Sequence, residues 1–74
     1  MLTDTDRAVL EAAHLRGRAR EAQSLELGLG LTGLSVRLLQ LLDDPAAEAA
    51  YPVVVHRERR LRDQRRAARA APWR

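Results

Sequence analysis

Gly28-Leu29-Gly30-Leu31-Thr32-Gly33, followed by Leu34-Ser35-Val36-Arg37-Leu38-Leu39-Gln40-Leu41-Leu42, sets a glycine-rich turn directly against an amphipathic segment. Leu31, Leu34, Leu38, Leu41 and Leu42 recur at intervals of three and four, which is one face of an α-helix and not a strand. Gly33, Val36, Arg37 and Gln40 fall on the opposite face. The glycines also match G-x-G-x-x-G letter for letter. A dinucleotide site, however, needs a preceding strand and an acidic residue about 20 positions on. Here the preceding segment reads as a helix, and Tyr51-Pro52-Val53-Val54 stands where the acid should be. The glycines read as a turn.

That preceding helix spans about Arg18 to Leu27, with Ala22, Leu25 and Leu27 expected inward. Two short helices joined by a tight, Gly-containing turn, the second of them amphipathic, are the pattern of a helix-turn-helix over residues 18–42. Either Gly28 or Gly30 would take the positive φ of the turn. With Gly28, Gln23 and Arg37 fall at positions that are usually apolar; with Gly30, Val36 and Leu39 would be buried instead. An ordinary αα-hairpin in a small bundle is the competing arrangement.

The rest of the chain reads as helices around this hairpin. Thr3-Asp4-Thr5-Asp6 offers a hydroxyl N-cap followed by acids where they meet the positive end of the helix dipole. Val9, Leu10 and Ala13 supply a short apolar stripe, and Gly17 marks the expected end. Asp43-Asp44-Pro45 closes the leucine helix and starts a short one over 46–50, with Asp44 as N-cap. After Tyr51-Pro52 a long helix runs from Val53 towards Ala71, with Val54, Leu61 and Ala68 on one stripe. It should dock at its start and project at its end, and Pro72-Trp73-Arg74 should fray. The expected fold is all-α: a small helix-turn-helix-type bundle of four to five helices, with a helical core over 1–55 and a basic C-terminal helix and tail over 56–74.

Composition limits what such a chain can do. Its 74 residues allow one domain, and the single Met at position 1 points to a whole small product. With no Cys there is neither a disulfide framework nor a thiolate metal site. Lys, Asn, Ile and Phe are also absent, while Arg, Ala and Leu each occur 13 times. This bias points to a very GC-rich bacterial genome or a phage of such a host. The acidic start, and the lack of any apolar run near the ~18 residues of a membrane span, lead us to expect a cytoplasmic protein without membrane contact.

Charge is distributed unevenly. Residues 1–55 carry 5 Arg against 8 acids, a net of −3, and residues 56–74 carry 8 Arg against 2 acids, a net of +6. A basic block of this kind suits a polyanion, because each neutralised phosphate releases condensed counterions. A solvated Arg-rich helix in a GC-rich proteome is the plainer explanation.

No reaction is legible. His14 and His56 lie far apart and have no i,i+4 His partner, which argues against a metal site. Ser24 and Ser35 lack a triad and read as surface hydroxyls, and Asp43 and Asp44 read as capping residues. We therefore expect no enzyme activity, no cofactor and no small-molecule substrate.

Several segments resemble a family of small actinobacterial proteins of unknown function with a helix-turn-helix-like core. They are Leu2-Thr3-Asp4 with Asp6-Arg7-Ala8-Val9-Leu10, Gly28-Leu29 with Thr32, Leu41-Leu42-Asp43-Asp44-Pro45-Ala46-Ala47, and Ala50-Tyr51-Pro52 with Arg59-Arg60-Leu61-Arg62. The chain departs from that family in lacking aromatic residues in its first and third helices and in carrying Tyr51 where an Asp is usual. The resemblance implies a fold and a GC-rich source rather than an activity.

The expectation is a DNA-binding protein, a small transcriptional regulator of an actinobacterium or its phage. Gly33, Val36, Arg37 and Gln40 would face the major groove, where Arg can pair with guanine and Gln with adenine. Arg18, Arg20, Arg57, Arg59, Arg60, Arg62, Arg65, Arg66 and Arg69 would hold phosphates of double-stranded DNA. So small a module makes few base contacts, so a homodimer or a protein partner is expected to complete specificity. The alternative is an adaptor or structural protein whose Arg-rich helix docks on an acidic protein partner.

Overall fold

Two of the helices begin on the capping side chains that their sequences announce. In the computed structural model, which describes residues 1–70, Thr3 Oγ1 accepts the Asp6 N–H at 3.0 Å and Asp6 Oδ2 accepts the Thr3 N–H at 3.3 Å. This reciprocal capping box satisfies two of the N–H groups that a helix start leaves free and opens α1, Asp4–Glu11. Asp44 does the same for α4, Pro45–Ala50, by accepting the Ala46 N–H at 2.9 Å. Three further helices, α2 (Gly17–Glu26), α3 (Gly30–Leu41) and α5 (Pro52–Ala70), complete an all-α fold with no strand among the described residues. Gly17 opens α2 rather than closing α1, which stops earlier, at Glu11. The expectations for Ala71 to Arg74 lie outside the described residues.

The link between α2 and α3 is a Schellman turn. Leu29 N–H reaches back to the Ser24 carbonyl and Gly28 N–H to the Leu25 carbonyl, both at 3.0 Å. That pair of bonds requires a left-handed residue between them, and Gly28 supplies it with φ 74°. Gly30 is also left-handed, at 71°, so the chain turns twice before α3 starts. A helix stands where the dinucleotide motif would need a strand. Val36 and Leu39 are 49% and 48% exposed, which removes the Gly30 register in which both would be buried.

α3 is the centre of the molecule. It packs against α1 and α2, while α5 packs against α4 and α1. The core consists of Leu2, Val9, Leu10 and Ala13 from the N-terminal segment, Leu34, Leu38, Leu41 and Leu42 from α3 and its end, and Ala47 and Val55 from α4 and α5. Three expectations about it fail. Leu31, in the first turn of α3, is 46% exposed. On α2, Leu25 is 67% exposed and Ala22 also faces solvent; Ser24 is the fully buried residue. Ser24 is thus no surface hydroxyl: its Oγ donates to the Glu21 carbonyl at 2.7 Å, which lets it be buried at little cost. On α5 the inward residues are Val55 and Glu58, with Leu61 and Arg62 half-buried, whereas Ala68 is exposed.

The contact that fixes α1 on α3 is ionic. Arg37 donates through Nε to Asp6 Oδ1 at 2.7 Å and through its terminal nitrogen to Asp6 Oδ2 at 2.9 Å, a bidentate pair. Asp6 is buried. The Arg37 hydrogen bonds hold its carboxyl below the usual carboxylate range, burial opposes them, and the Thr3 N–H adds to the lowering.

Two predictions follow from this architecture. A carboxyl whose folded pKa lies below its unfolded value stabilises the fold fully above the unfolded value, about 3.9, and loses that contribution as pH falls through the folded one. Thermal stability should therefore decline on acidification below about pH 4. Arg37→Ala should cost about 2 kcal/mol at neutral pH by stranding a buried carboxylate and should flatten this acid decline; urea unfolding at both pH values reads both effects. Gly28→Ala and Gly30→Ala should each cost about 1–2 kcal/mol from the positive φ alone, since no neighbouring atom would touch a Cβ at either place. Unchanged melting temperatures would refute the two-glycine turn.

Candidate functional site

α5 leaves the core after its first ten residues, and every position from Asp63 to Ala70 is exposed. A cleft of about 340 Å³ opens between this departing helix and the α2–α3 pair. Arg16 and Arg20 line it from α2 and its N-cap, and Arg62 and Arg65 line it from α5. Ser35, Leu38, Leu39 and Leu42 form its α3 side. Past Leu39 and Asp43 a second concavity of about 320 Å³ continues along α5, bordered by Arg65, Arg66 and Arg69. Two arginine clusters more than 40 residues apart in sequence thus share one groove.

The arginines expected on phosphates fall into two groups. Arg65, Arg66 and Arg69 project from the groove, and Arg20 lies in it with one nitrogen 3.1 Å from Ser35 Oγ. Arg62 lies there too, close to Asp43 at 3.4 Å and Asp63 at 3.3 Å. Arg18 and Arg60 are exposed but do not line the groove.

Arg59 has a structural task. Its Nε donates to the Leu42 carbonyl at 2.7 Å and its terminal nitrogen to Glu48 at 3.1 Å. A cation is favourable at the C-terminal end of α3, where free carbonyls gather. Glu48 also accepts from His56 Nε2 at 2.7 Å. His56 first and Arg59 second hold the Glu48 carboxyl below its ordinary range. Arg57 is half-buried, with Nε 3.4 Å from Glu58 Oε2.

Gly33, Val36, Arg37 and Gln40, the residues expected to read bases, stand along one side of α3 but differ in exposure. Val36 and Gln40 lie on the outer face of α3. Gly33 is half-buried against the turn, where a Cβ would come within 3.2 Å of Leu29 Cβ. Arg37 turns aside to Asp6 and also donates to Gln40 Oε1 at 3.0 Å. Arg37, on the face opposite the buried stripe, thus carries a structural tie to Asp6 that its position alone does not announce.

Sequence reasoning overlooked Arg16 and Glu58, and read Ser35, which is half-buried in the cleft, only as a surface hydroxyl. Arg16 caps the end of the α1 segment by donating to the Ala13 and Leu15 carbonyls, both at 2.9 Å, and its flanking Arg18 and Arg20 were the available signal. Glu58 carried no signal, being an isolated acid in an arginine helix. It is 7% exposed and lines the cleft, and its Oε2 accepts no hydrogen bond, since Arg57 Nε stands near it without hydrogen-bond geometry.

Among the described residues no group of three His, Cys, Asp or Glu could share a metal ion, and no helix is long and apolar enough to cross a membrane. The model of the family described as "Protein of unknown function (DUF3263)" matches residues 1–70, and the chain belongs to that family. No curated protein and no solved structure matches it.

The division among the arginines yields a prediction for stability. Arg59→Ala should cost about 1–2 kcal/mol by releasing the Leu42 carbonyl and loosening α5 from α3. Arg66→Ala and Arg69→Ala, on exposed helix, should change stability by less than about 0.5 kcal/mol. Chemical denaturation of the three variants checks the contrast; equal losses would mean that the distal half of α5 is docked.

Proposed function

We propose that this DUF3263 protein binds double-stranded DNA through a helix-turn-helix formed by α2 and α3, as a small transcriptional regulator of an actinobacterium or its phage. The observation that carries the reading is the shared groove, in which Arg16 and Arg20 stand across from Arg62, Arg65, Arg66 and Arg69. A duplex backbone is a polyanion, and arginines on two neighbouring elements can hold successive phosphates without reading sequence. The tight Schellman turn and the exposed Val36 and Gln40 support α3 as the helix presented to the major groove. Arg37 then seats α3 on α1 instead of reading a base, and Gly33 lets the start of α3 approach the turn.

A second reading, an adaptor docking on an acidic protein partner, draws support from the apolar exposure of Leu31, Val36 and Leu39 on α3 beside the same arginines. Aromatic and aliphatic anchors ringed by charge suit a protein interface, including one between two copies of the chain. Interaction with DNA needs no such leucines.

A mobility-shift titration of duplex DNA across salt concentrations decides between them. The affinity should fall with salt at about 0.9 in log–log slope for each phosphate held. Combined replacement of Arg65, Arg66 and Arg69 by Ala should lower that slope by about 2 to 3 while the fold stays intact. No binding at low salt, or a slope that the replacement leaves untouched, would exclude the DNA reading.

A further inference from the structure

The outer face of α3 carries a side-chain relay that begins in the core. Asp6, buried at the start of α1, holds Arg37 through Nε at 2.7 Å and through one terminal nitrogen at 2.9 Å. The other terminal nitrogen of Arg37 donates to Gln40 Oε1 at 3.0 Å. A guanidinium has donors and no acceptor, so the carbonyl of Gln40 has to face it; the amide turned end for end would set N–H against N–H. Gln40 is exposed, yet the orientation of its amide is fixed from beneath. Thr32, Val36 and Gln40 stand one turn apart in a single row, about 6 Å between successive members, and all three are exposed. Arg37 is the one basic residue of α3, and its guanidinium is engaged by Asp6 and Gln40.

We propose that this row reads A·T base pairs in the major groove: Gln40 pairs with adenine, Val36 covers the methyl group of thymine, and Arg37 is a positioning residue that fixes the Gln40 amide. The proposal rests on the DNA reading above and names the sequence class which that reading leaves open. Adenine offers an acceptor, N7, beside a donor, its exocyclic amine. Gln40 Nε2 can donate to the first, and Oε1, which has two lone pairs, can accept from the second while keeping Arg37. Guanine offers two acceptors, N7 and O6. A free glutamine can turn its amine toward both; one whose carbonyl is held cannot, and Oε1 would face O6. The commonest reader of guanine is an arginine or lysine, and α3 has none to spare. Val36, which has no polar group, meets no base-edge donor or acceptor but packs against a methyl. The phosphate arginines of α2 and α5 add no sequence information of their own.

Enrichment of bound duplexes from a random pool by the full chain, followed by titration of the enriched duplex and of the pool, tests this. The enriched site should contain an adenine whose replacement by guanine weakens binding about tenfold. A deazaadenine lacking the N7 acceptor at that place should weaken the parent chain and leave Gln40→Ala unaffected. Uracil in place of the thymine should likewise weaken the parent and leave Val36→Ala unaffected. Neither alanine variant should weaken binding to the pool. Gln40→Glu, which has acceptors only, should move the preference from adenine to cytosine. Arg37→Lys, whose ammonium can hold Asp6 but not Gln40 as well, should lower the adenine preference towards that of Gln40→Ala; an unchanged preference would overturn the positioning role. Should Arg37→Lys fail to fold, nuclear relaxation of the parent decides that role: the Gln40 side-chain amide should be more rigid than that of the exposed Gln64, and equal mobility would overturn it. Binding to the pool with no enriched site, or an enriched site at which guanine replaces adenine without loss, would overturn the base reading alone. A chain that binds no duplex overturns the DNA reading and this one with it.

Discussion

The carboxylate of Asp6 is where the start of α1 and the middle of α3 meet. It accepts the Thr3 N–H that starts α1, and both of its oxygens receive the Arg37 guanidinium from the middle of α3. A core assembled from leucines, valines and alanines has few shapes that interlock. Apolar burial alone would let α1 slide along α3, because aliphatic faces of this kind tolerate repacking. A bidentate ion pair admits one register, since a shift by one turn would leave a buried acid without its partner. Specificity of packing is a role for which buried polar pairs have some precedent. Here the pair has the geometry for it, and the orientation of the α2–α3 turn inherits that register.

Once α3 is fixed, the other helices are placed by ties at its two ends. The Schellman turn sets α2 at the start of α3 through the Leu29 and Gly28 amides. Arg59 closes on the Leu42 carbonyl at the far end and brings Glu48 and His56 with it, so that α4 and α5 are anchored together. Tyr51 adds a bond from the α4–α5 corner to Glu11 of α1 at 2.7 Å, and that bond raises its hydroxyl above the ordinary tyrosine range. Arg59, Glu48 and His56 could otherwise be taken for surface charge. The groove follows from these ties. α5 is held at its start, has no comparable bond beyond Arg62 among the described residues, and runs out from the α2–α3 pair with Arg65, Arg66 and Arg69 along the gap.

Local signals in the sequence led to the helices and to little of the site. Thr3, Asp44 and Pro45 cap helices because the backbone N–H groups beside them need acceptors, and such needs are written within four residues. The leucine spacing of α3 exposes its buried face in the same way. Leu31 and Leu25 escaped because periodicity assigns a face to a whole helix, whereas burial depends on how far the neighbouring helix extends. Arg37 escaped for a different reason: its partner lies 31 residues away on another helix, and a lone cation on an amphipathic segment looks the same whether paired or free. The arginine block pointed to polyanions, yet it could not separate Arg59, which holds the fold, from Arg66, which does not.

The two buried acids of this chain are treated in opposite ways, and the contrast bears on what the groove is for. Asp6 is surrounded by donors and stabilises the structure that surrounds it. Glu58 is buried to a similar degree, has only the adjacent Arg57 at 3.4 Å, and keeps one oxygen without a hydrogen bond. A purely structural acid at that position could have been met by the nearby arginines, whose side chains are long enough to fold inward. They line the opening instead, with Arg16 and Arg20 on one side and Arg62 and Arg65 on the other. Their positive charge compensates the carboxylate at a distance while leaving its hydrogen-bonding capacity unused. A surface evolved only to grip phosphates gains nothing from a negative charge beneath it, because the acid weakens the field that attracts them.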